Sequence, residues 1–250
     1  MTVYELYKQL NVLISPSLSC EWDNDGLMCC PDASREVRRA LVCLDVTNDM
    51  VEAAVEGAYD VIVSHHPFIF KGLKSLDEGD LIPRKAMTLI REGISVMSFH
   101  TRLDALSGGV NDSLAEILRI KNALPFGEGI GRIGELEKET SLYDFARLVK
   151  DKLGSPAVAV ADAKKPVLKV AVLGGSGKDE LFSALAAGAD TYVSGELGHH
   201  PLTDAPDLGI NLIEAGHFHT EDHICKMLCD TLATLGIVAD YFNSNKISFI

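Results

Sequence analysis

With 250 residues, 47% hydrophobic and 24% charged, the chain has an ordinary globular composition that fits one α/β domain or two fused halves. A formal charge of −13, from 23 basic against 36 acidic side chains, argues against a broad nucleic-acid surface, because phosphate binding needs clustered lysine and arginine. No apolar run approaches the roughly 18 residues that span a bilayer, and Met1–Lys8 lacks the basic and apolar regions of a secretion signal, so no membrane partner and a cytoplasmic location are expected.

In chain order, Val37–Asp45 (VRRALVCLD) is a predicted strand, followed by a helix over Asn48–Glu56 capped near Thr47 or Asn48. Val61–Ser64 is a buried strand, Arg84–Glu92 a helix and Ile94–Phe99 a third strand. Gly108–Gly109 precede a helix over Val110–Leu118, and Lys121–Glu139, with Gly127, Gly129, Gly131 and Gly134, reads as a linker. The order then recurs. Lys169–Leu173 is a strand, Gly174–Gly175–Ser176–Gly177 a turn, Asp179–Ala187 a helix, and Thr191–Ser194 and Gly209–Glu214 are strands. A helix over Thr220–Leu235 and closing strands over Val238–Phe242 and Lys246–Ile250 complete the chain. Short runs rich in Val and Ile with helical spacers favour parallel strands joined by crossover helices.

The two halves match in detail. From Val42 to Ser64 is 22 residues, as is the step from Val172 to Ser194, and EGAYDVIVS aligns with AAGADTYVS. Such self-similarity predicts a duplicated βαβ unit. The expected architecture is α/β with two similar lobes, residues 1–125 and 126–250, forming one intertwined unit. Ligands of open parallel sheets bind at the carboxyl ends of the strands, so the site is expected between the halves.

Seven of the eight histidines fall at such strand ends, in four clusters: His65–His66, His100 with Asp104, Glu196 with His199–His200, and His217 and His219 with Glu221. Side chains of adjacent residues diverge, so the first pair suits two nearby metals more easily than one. His100 and Asp104 share a face if that segment is helical, although Asp104 also suits a helix N-cap. His217 and Glu221, four apart at a helix start, stack imidazole and carboxylate on one face, a metal-ligating arrangement. Glu196, His199 and His200 remain open between ligands, groups that orient ligands, and proton-transfer groups. His219 and His223 fall on a separate, solvent-facing side. The glycine turn at 174–177, followed by Lys178, fits neither nucleotide-loop pattern, but its backbone N–H groups can serve a substrate anion. The six cysteines form no CxxC pair, which excludes a zinc knuckle or thioredoxin motif.

The segments EWDNDGL (Glu21–Leu27), SHHPFIF (Ser64–Phe70), HTRLDA (His100–Ala105) and GHFHTE (Gly216–Glu221) together resemble the NIF-three-like family, known also as GTP cyclohydrolase 1 type 2 homologues. The resemblance covers nearly the whole chain. It implies a two-lobed α/β fold, a toroidal homohexamer and a dinuclear metal site whose ligands are His65, His66, Asp104, His217 and Glu221. Five ligands for two ions leave positions open for water or substrate, the catalytic arrangement, and mixed imidazole and carboxylate donors suit Zn, Fe, Mn, Ni or Co.

The function expected is a metal-dependent hydrolase acting on a nucleotide-like or other small anionic molecule, opening a base ring or cleaving a phosphoester. His100 and Glu196 are the candidate proton-transfer residues. The alternative is a non-catalytic metal-binding protein or ring-shaped interaction scaffold, favoured by the lack of a recognisable nucleophile motif.

Overall fold

The chain opens with a capping box: Thr2 Oγ1 accepts from Glu5 N (3.2 Å), and Glu5 Oε2 accepts from Thr2 N (2.8 Å). That cap starts helix α1 (Val3–Leu13), whose buried stripe is Val3, Leu6 and Leu10. The computed structural model describes residues 1–250. The following elements are β1 (Gly26–Cys29), β2 (Arg39–Cys43), α2 (Asn48–Glu56), β3 (Val61–Ser64), α3 (Leu81–Glu92), β4 (Ser95–Ser98) and α4 (Thr101–Ala105). Next come α5 (Val110–Ile117), β5 (Lys121–Phe126), β6 (Gly131–Thr140), α6 (Leu142–Leu153), β7 (Ala159–Ala161) and β8 (Val167–Ser176). The chain continues through α7 (Leu181–Ala186), β9 (Thr191–Glu196), α8 (His199–Leu208), β10 (Asn211–Glu214) and α9 (His217–Glu221). It ends with α10 (Ile224–Thr234) and β11 (Val238–Tyr241).

These elements pack as two units. The first holds residues 1–103 and 224–246, and the second 104–223 and 247–250. The units are therefore not the sequence halves 1–125 and 126–250, since α10 and β11 return to the first. Its sheet has the order β1-β4-β3-β2-β11, parallel except for the antiparallel edge strand β1. Ile62, Val96, Met50, Leu89 and Phe68 pack one core beside it. The second unit's sheet has the order β5-β6-β8-β9-β10-β7, with a parallel trio β8-β9-β10 flanked by antiparallel strands. Phe145, Val149 and Leu114 belong to one of its cores, and Tyr192, Leu212 and Leu181 to another. Each such side chain, fully buried, contributes about 1.5–3 kcal/mol.

The internal repeat is real at the level of register. Val42 pairs with Val63 and Cys43 with Ser64, while Val172 pairs with Val193 and Leu173 with Ser194. Asp60 Oδ2 accepts from the N–H groups of Arg38 and Arg39 (2.9 and 3.1 Å), and Asp190 Oδ2 from those of Leu168 and Lys169 (3.0 and 2.7 Å). Arg39 donates to Gly57 O at 2.6 Å, and Lys169 to Ala187 O at 2.7 Å. Ala58 holds a φ of 51°, where its counterpart Gly188 has 82°. Both βαβ elements are thus tied by a carboxylate at the start of the central strand that grips the strand before it.

Several expectations need correction. Lys121–Glu139 is not a linker but the β5–β6 hairpin, with Gly127 supplying the left-handed turn (φ 56°). Gly134 packs the two strands so closely that a Cβ there would lie 2.3 Å from Lys121 O. The helix expected over Thr220–Leu235 breaks between α9 and α10, where the His223 Nε2–H donates to Val110 O (3.0 Å). The closing strand over Lys246–Ile250 does not form. Before it the chain is held by side chains instead, with Asp45 N donating to Ser244 Oγ (3.1 Å) and Lys246 paired with Asp49. Helices α1, α6 and α8 went unanticipated.

Candidate metal centre

The first ligand set sits at the carboxyl end of the first sheet. The N–H groups of His65 and His66 bond Cys43 O (3.2 Å) and Leu44 O (2.9 Å), continuing the ladder past Ser64. Ser64 Oγ then donates to His66 O (2.8 Å), and Phe68 N donates to Ser98 Oγ (3.1 Å), which fixes the turn through Pro67. His100 follows β4. The three rings lie 5.1, 5.4 and 5.8 Å apart between centroids, and one ligand atom from each falls within 4.8 Å of the others.

All three rings turn Nδ1 outward. His65 Nδ1–H donates to Phe99 O (3.0 Å), His66 Nδ1 meets Asp45 Oδ1 at 2.7 Å, and His100 Nδ1 meets Asp23 Oδ1 at 2.9 Å. A carbonyl or carboxylate on one nitrogen fixes the tautomer and leaves Nε2 as the coordinating atom, as metal-bound imidazoles require. Asp23 is locked in turn by Thr101, whose N–H and hydroxyl reach Oδ2 at 3.0 and 2.6 Å. Burial raises the Asp23 pKa, but the hydrogen bonds from His100 and Thr101 outweigh it and bring its carboxyl down to about 2. Asp25, two residues on, grips the buried Arg102 with two bonds of 2.6 and 2.8 Å. The acidic residues of EWDNDGL therefore hold the His100–Arg102 segment.

The second set lies in the second unit. His217 Nε2 is 3.1 Å from Glu221 Oε2, the i,i+4 stacking expected of one helical turn, and Glu221 is buried. Glu196, at the end of β9, reaches the other nitrogen of the same ring, with Oε2 3.3 Å from Nδ1. Asp104 is buried, and its carboxylate lies within 4.8 Å of that of Glu221. Asn111 ties this set together, donating to Asp104 O (3.4 Å) and accepting from Gly174 N (2.8 Å).

The glycine turn is a cradle for these ligands and not an anion loop. A Cβ on Gly175 (φ 64°) would stand 2.2 Å from Glu221 Oε1 and 3.0 Å from His217 Nε2. Its N–H donates to Thr220 Oγ1 (3.0 Å), while those of Gly174 and Gly177 are taken by Asn111 and by Glu196 O (3.2 Å). Three of the donors offered to a substrate anion are thus committed within the protein.

Other expectations resolve plainly. His199 and His200 are exposed at the start of α8 and join neither set. By strand register the counterparts of His65 and His66 are Gly195 and Glu196, so the repeat places a carboxylate where a second imidazole pair was sought. His219 and His223 are both half-buried, and His223 is hydrogen-bonded to Val110 O, so neither is turned fully to solvent. His100 stands just before α4 and joins His65 and His66, whereas Asp104, within α4, joins Glu221. Sequence reasoning missed Asp45, Asp23 and Asn111. They lie 21 residues or more from the groups they hold (7 for the Asn111–Asp104 contact), beyond the reach of local spacing.

Both sets offer imidazole nitrogens or carboxylate oxygens oriented by outer hydrogen bonds, which fits a divalent metal. No helix is long and apolar enough to cross a membrane. Among curated proteins, a GTP cyclohydrolase 1 type 2 homolog of Clostridium perfringens is 33% identical over 208 residues, covering 80% of this chain and 79% of its own length. The protein NIF3 homolog of Schizosaccharomyces pombe is 32% identical, covering 96% of this chain and 94% of its own. Among solved structures, a Staphylococcus aureus hypothetical protein superposes with a TM-score of 0.88 at 27% identity, covering 100% of this chain and 99% of its own. Reduced HcgD of Methanocaldococcus jannaschii gives 0.86, also at 27% identity, covering 96% and 97%. The profile of the Duf34/NIF3 (NGG1p interacting factor 3) family matches residues 1–245, and the chain belongs to that family.

Proposed function

We propose that this protein holds two divalent metal ions through His65, His66, Asp104, His217 and Glu221. With them it hydrolyses a nucleotide-like or other small anionic molecule. The observation that carries the reading is the orientation of the rings. His65 and His66 each spend Nδ1 on a carbonyl or carboxylate, and Glu196 approaches Nδ1 of His217. Histidines with ordinary structural roles have no need of this shared orientation.

When bound, two such ions supply Lewis-acid polarisation of an electrophilic carbon or phosphorus. Their charge against the two carboxylates of Asp104 and Glu221 leaves a positive pocket, which draws an anion despite the acidic exterior. Asp45 and Phe99 O keep the ligand rings from rotating. Asp23 holds Nδ1 of His100 and fixes its tautomer, so that Nε2 takes or gives a proton near the reacting atoms. Asp23 stays ionised throughout, its carboxyl being held at about 2.

The test is metal analysis of the purified protein, followed by a turnover screen over nucleotides and phosphoesters. Hydrolysis is expected that chelation abolishes and that Glu221→Ala loses. Turnover that survives removal of the metals would overturn the mechanism.

The family description names an interacting factor, and this favours a second reading: a metal-binding, non-catalytic protein that works as a homohexameric ring. That reading predicts metal uptake without turnover and a six-fold mass in light scattering.

A further inference from the structure

Beside the first ligand set stands a pair of aromatic rings that the metal chemistry does not use. Trp22, the chain's single tryptophan, is 62% exposed, and Phe70 is 46% exposed. Their centroids lie 6.3 Å apart at an interplanar angle of 76°. The ring of His100 meets both, edge to face, at 6.2 Å from Trp22 and 6.3 Å from Phe70. His100 in turn lies 5.4 and 5.8 Å from His65 and His66. The aromatic pair is therefore one imidazole away from the ligating rings.

A scattered apolar side chain on a surface is ordinary. This pair is not scattered, because the loops that carry it are pinned. Asn24 Nδ2 donates to Ile69 O (2.5 Å), joining the Trp22 loop to the Phe70 loop. Asp23, next to Trp22, is fixed by Thr101 and His100, and Phe68, two residues before Phe70, is buried with its N–H on Ser98 Oγ. Exposed rings on a fixed backbone have lost little freedom to lose again on binding, which is the property of a preformed stacking wall. Exposed polar residues flank the pair in sequence, Glu21 before Trp22 and Lys71 after Phe70. Set at 76° to one another, the two rings offer a planar heteroaromatic ring one face to stack on and one edge to abut.

We infer that Trp22 and Phe70 form a stacking subsite for the heteroaromatic base of the substrate, with the phosphate end directed to the metal ligands. The inference rests on the proposed function, since the metal site supplies the anchor for that end. It narrows the substrate class from small anions in general to nucleotides. Stacking is tolerant of base identity because every base offers a π-face, so this wall selects for a base and leaves the choice among bases to other contacts.

The experiment uses the metal-loaded full chain with guanosine monophosphate, guanosine and ribose 5-phosphate as probes. Guanosine monophosphate and guanosine are expected to quench Trp22 fluorescence saturably, and ribose 5-phosphate is not. In equilibrium dialysis, Trp22→Ala and Phe70→Ala should each weaken guanosine monophosphate binding about tenfold, while Trp22→Phe restores most of it. Chelation should weaken guanosine monophosphate and leave guanosine unchanged. If chelation changes neither but both alanine variants lose binding, the stacking wall stands and the metal anchor falls. If guanosine monophosphate binds the wild type and both alanine variants equally, the stacking wall is overturned while the metal reading is untouched. Fluorescence that responds to dilution and to none of the probes would make the pair a contact between copies of the chain, and would also overturn it.

Discussion

Asp45 Oδ1 lies 2.7 Å from Nδ1 of His66, and 21 residues separate the two in sequence. Asp45 follows β2 and His66 follows β3, so the parallel pairing of the two strands brings them together. A carboxylate there fixes the tautomer of the ring and raises the basicity of Nε2. Asp45→Ala is expected to lower metal affinity by about 10–100-fold. Some stability should be lost as well, because the Asp45 carboxylate favours the charged form of the buried Lys85. Competition against a chromophoric chelator measures the affinity, and a thermal scan measures the stability. Equal affinity in the two proteins would remove Asp45 from the site.

The cradle under the second ligand set gives a sharper contrast. Gly175 combines a φ of 64° with a Cβ direction that ends 2.2 Å from Glu221 Oε1. Gly175→Ala should cost about 1–3 kcal/mol in backbone strain and displacement together, and should also lose metal at the His217–Glu221 set. Gly188→Ala is the control. Its φ is 82°, but an added Cβ meets only Lys169 Nζ, at 3.2 Å, and the counterpart Ala58 already accepts a φ of 51°. It should cost stability of about 1 kcal/mol and leave metal binding intact. Denaturant midpoints and metal titrations on the two variants separate strain from site geometry.

How much of this was legible beforehand depends on the range of each interaction. The central parallel strands show in the sequence because Val61–Val63 and Tyr192–Val193 are short apolar runs that bury on both faces. The clusters that could hold a metal show because histidine and glutamate recur at strand ends and at helical spacing. The outer partners do not, because Asp23 meets His100 across 77 residues and only the folded sheet makes that step short. Helix α1 is written in the sequence through the Thr2-to-Glu5 capping box and the Val3, Leu6, Leu10 stripe. Helix α8 was hidden by its internal Pro206, and the β5–β6 hairpin by glycines that mark tight packing as readily as a linker.

Asp23 makes the fold sensitive to acid in a defined window. Its side chain is fully shielded from solvent, and its pKa falls from the ordinary 3.8 to about 2. A carboxyl whose pKa is depressed by folding stabilises the folded state above the unfolded value, and loses that contribution as pH falls through the folded one. The contribution, about 2 kcal/mol, is therefore present above pH 4 and drains away between about pH 4 and pH 2. Urea midpoints across that interval should fall more steeply for the wild type than for Asp23→Asn, which cannot titrate. Parallel slopes would mean that other carboxylates set the acid limit.

Glu196 stands 3.3 Å from Nδ1 of His217 and Glu221 3.1 Å from Nε2, so the ring lies between two carboxylates of which only Glu221 is buried. That geometry suits a positioning role for Glu196 as well as the proton-transfer role expected from the sequence, and the two predict different variants. If Glu196 positions the ring, its effect passes through metal affinity. Glu196→Ala should then weaken metal binding by about tenfold, with turnover recovering when metal is supplied in excess. Glu196→Gln keeps an acceptor oxygen for Nδ1–H and should restore most of the affinity. A proton-transfer role makes the opposite prediction: unchanged affinity, turnover lost at any metal concentration, and no rescue by glutamine. Metal titrations and saturation kinetics on the two variants decide between them, because positioning moves the affinity and proton transfer moves kcat.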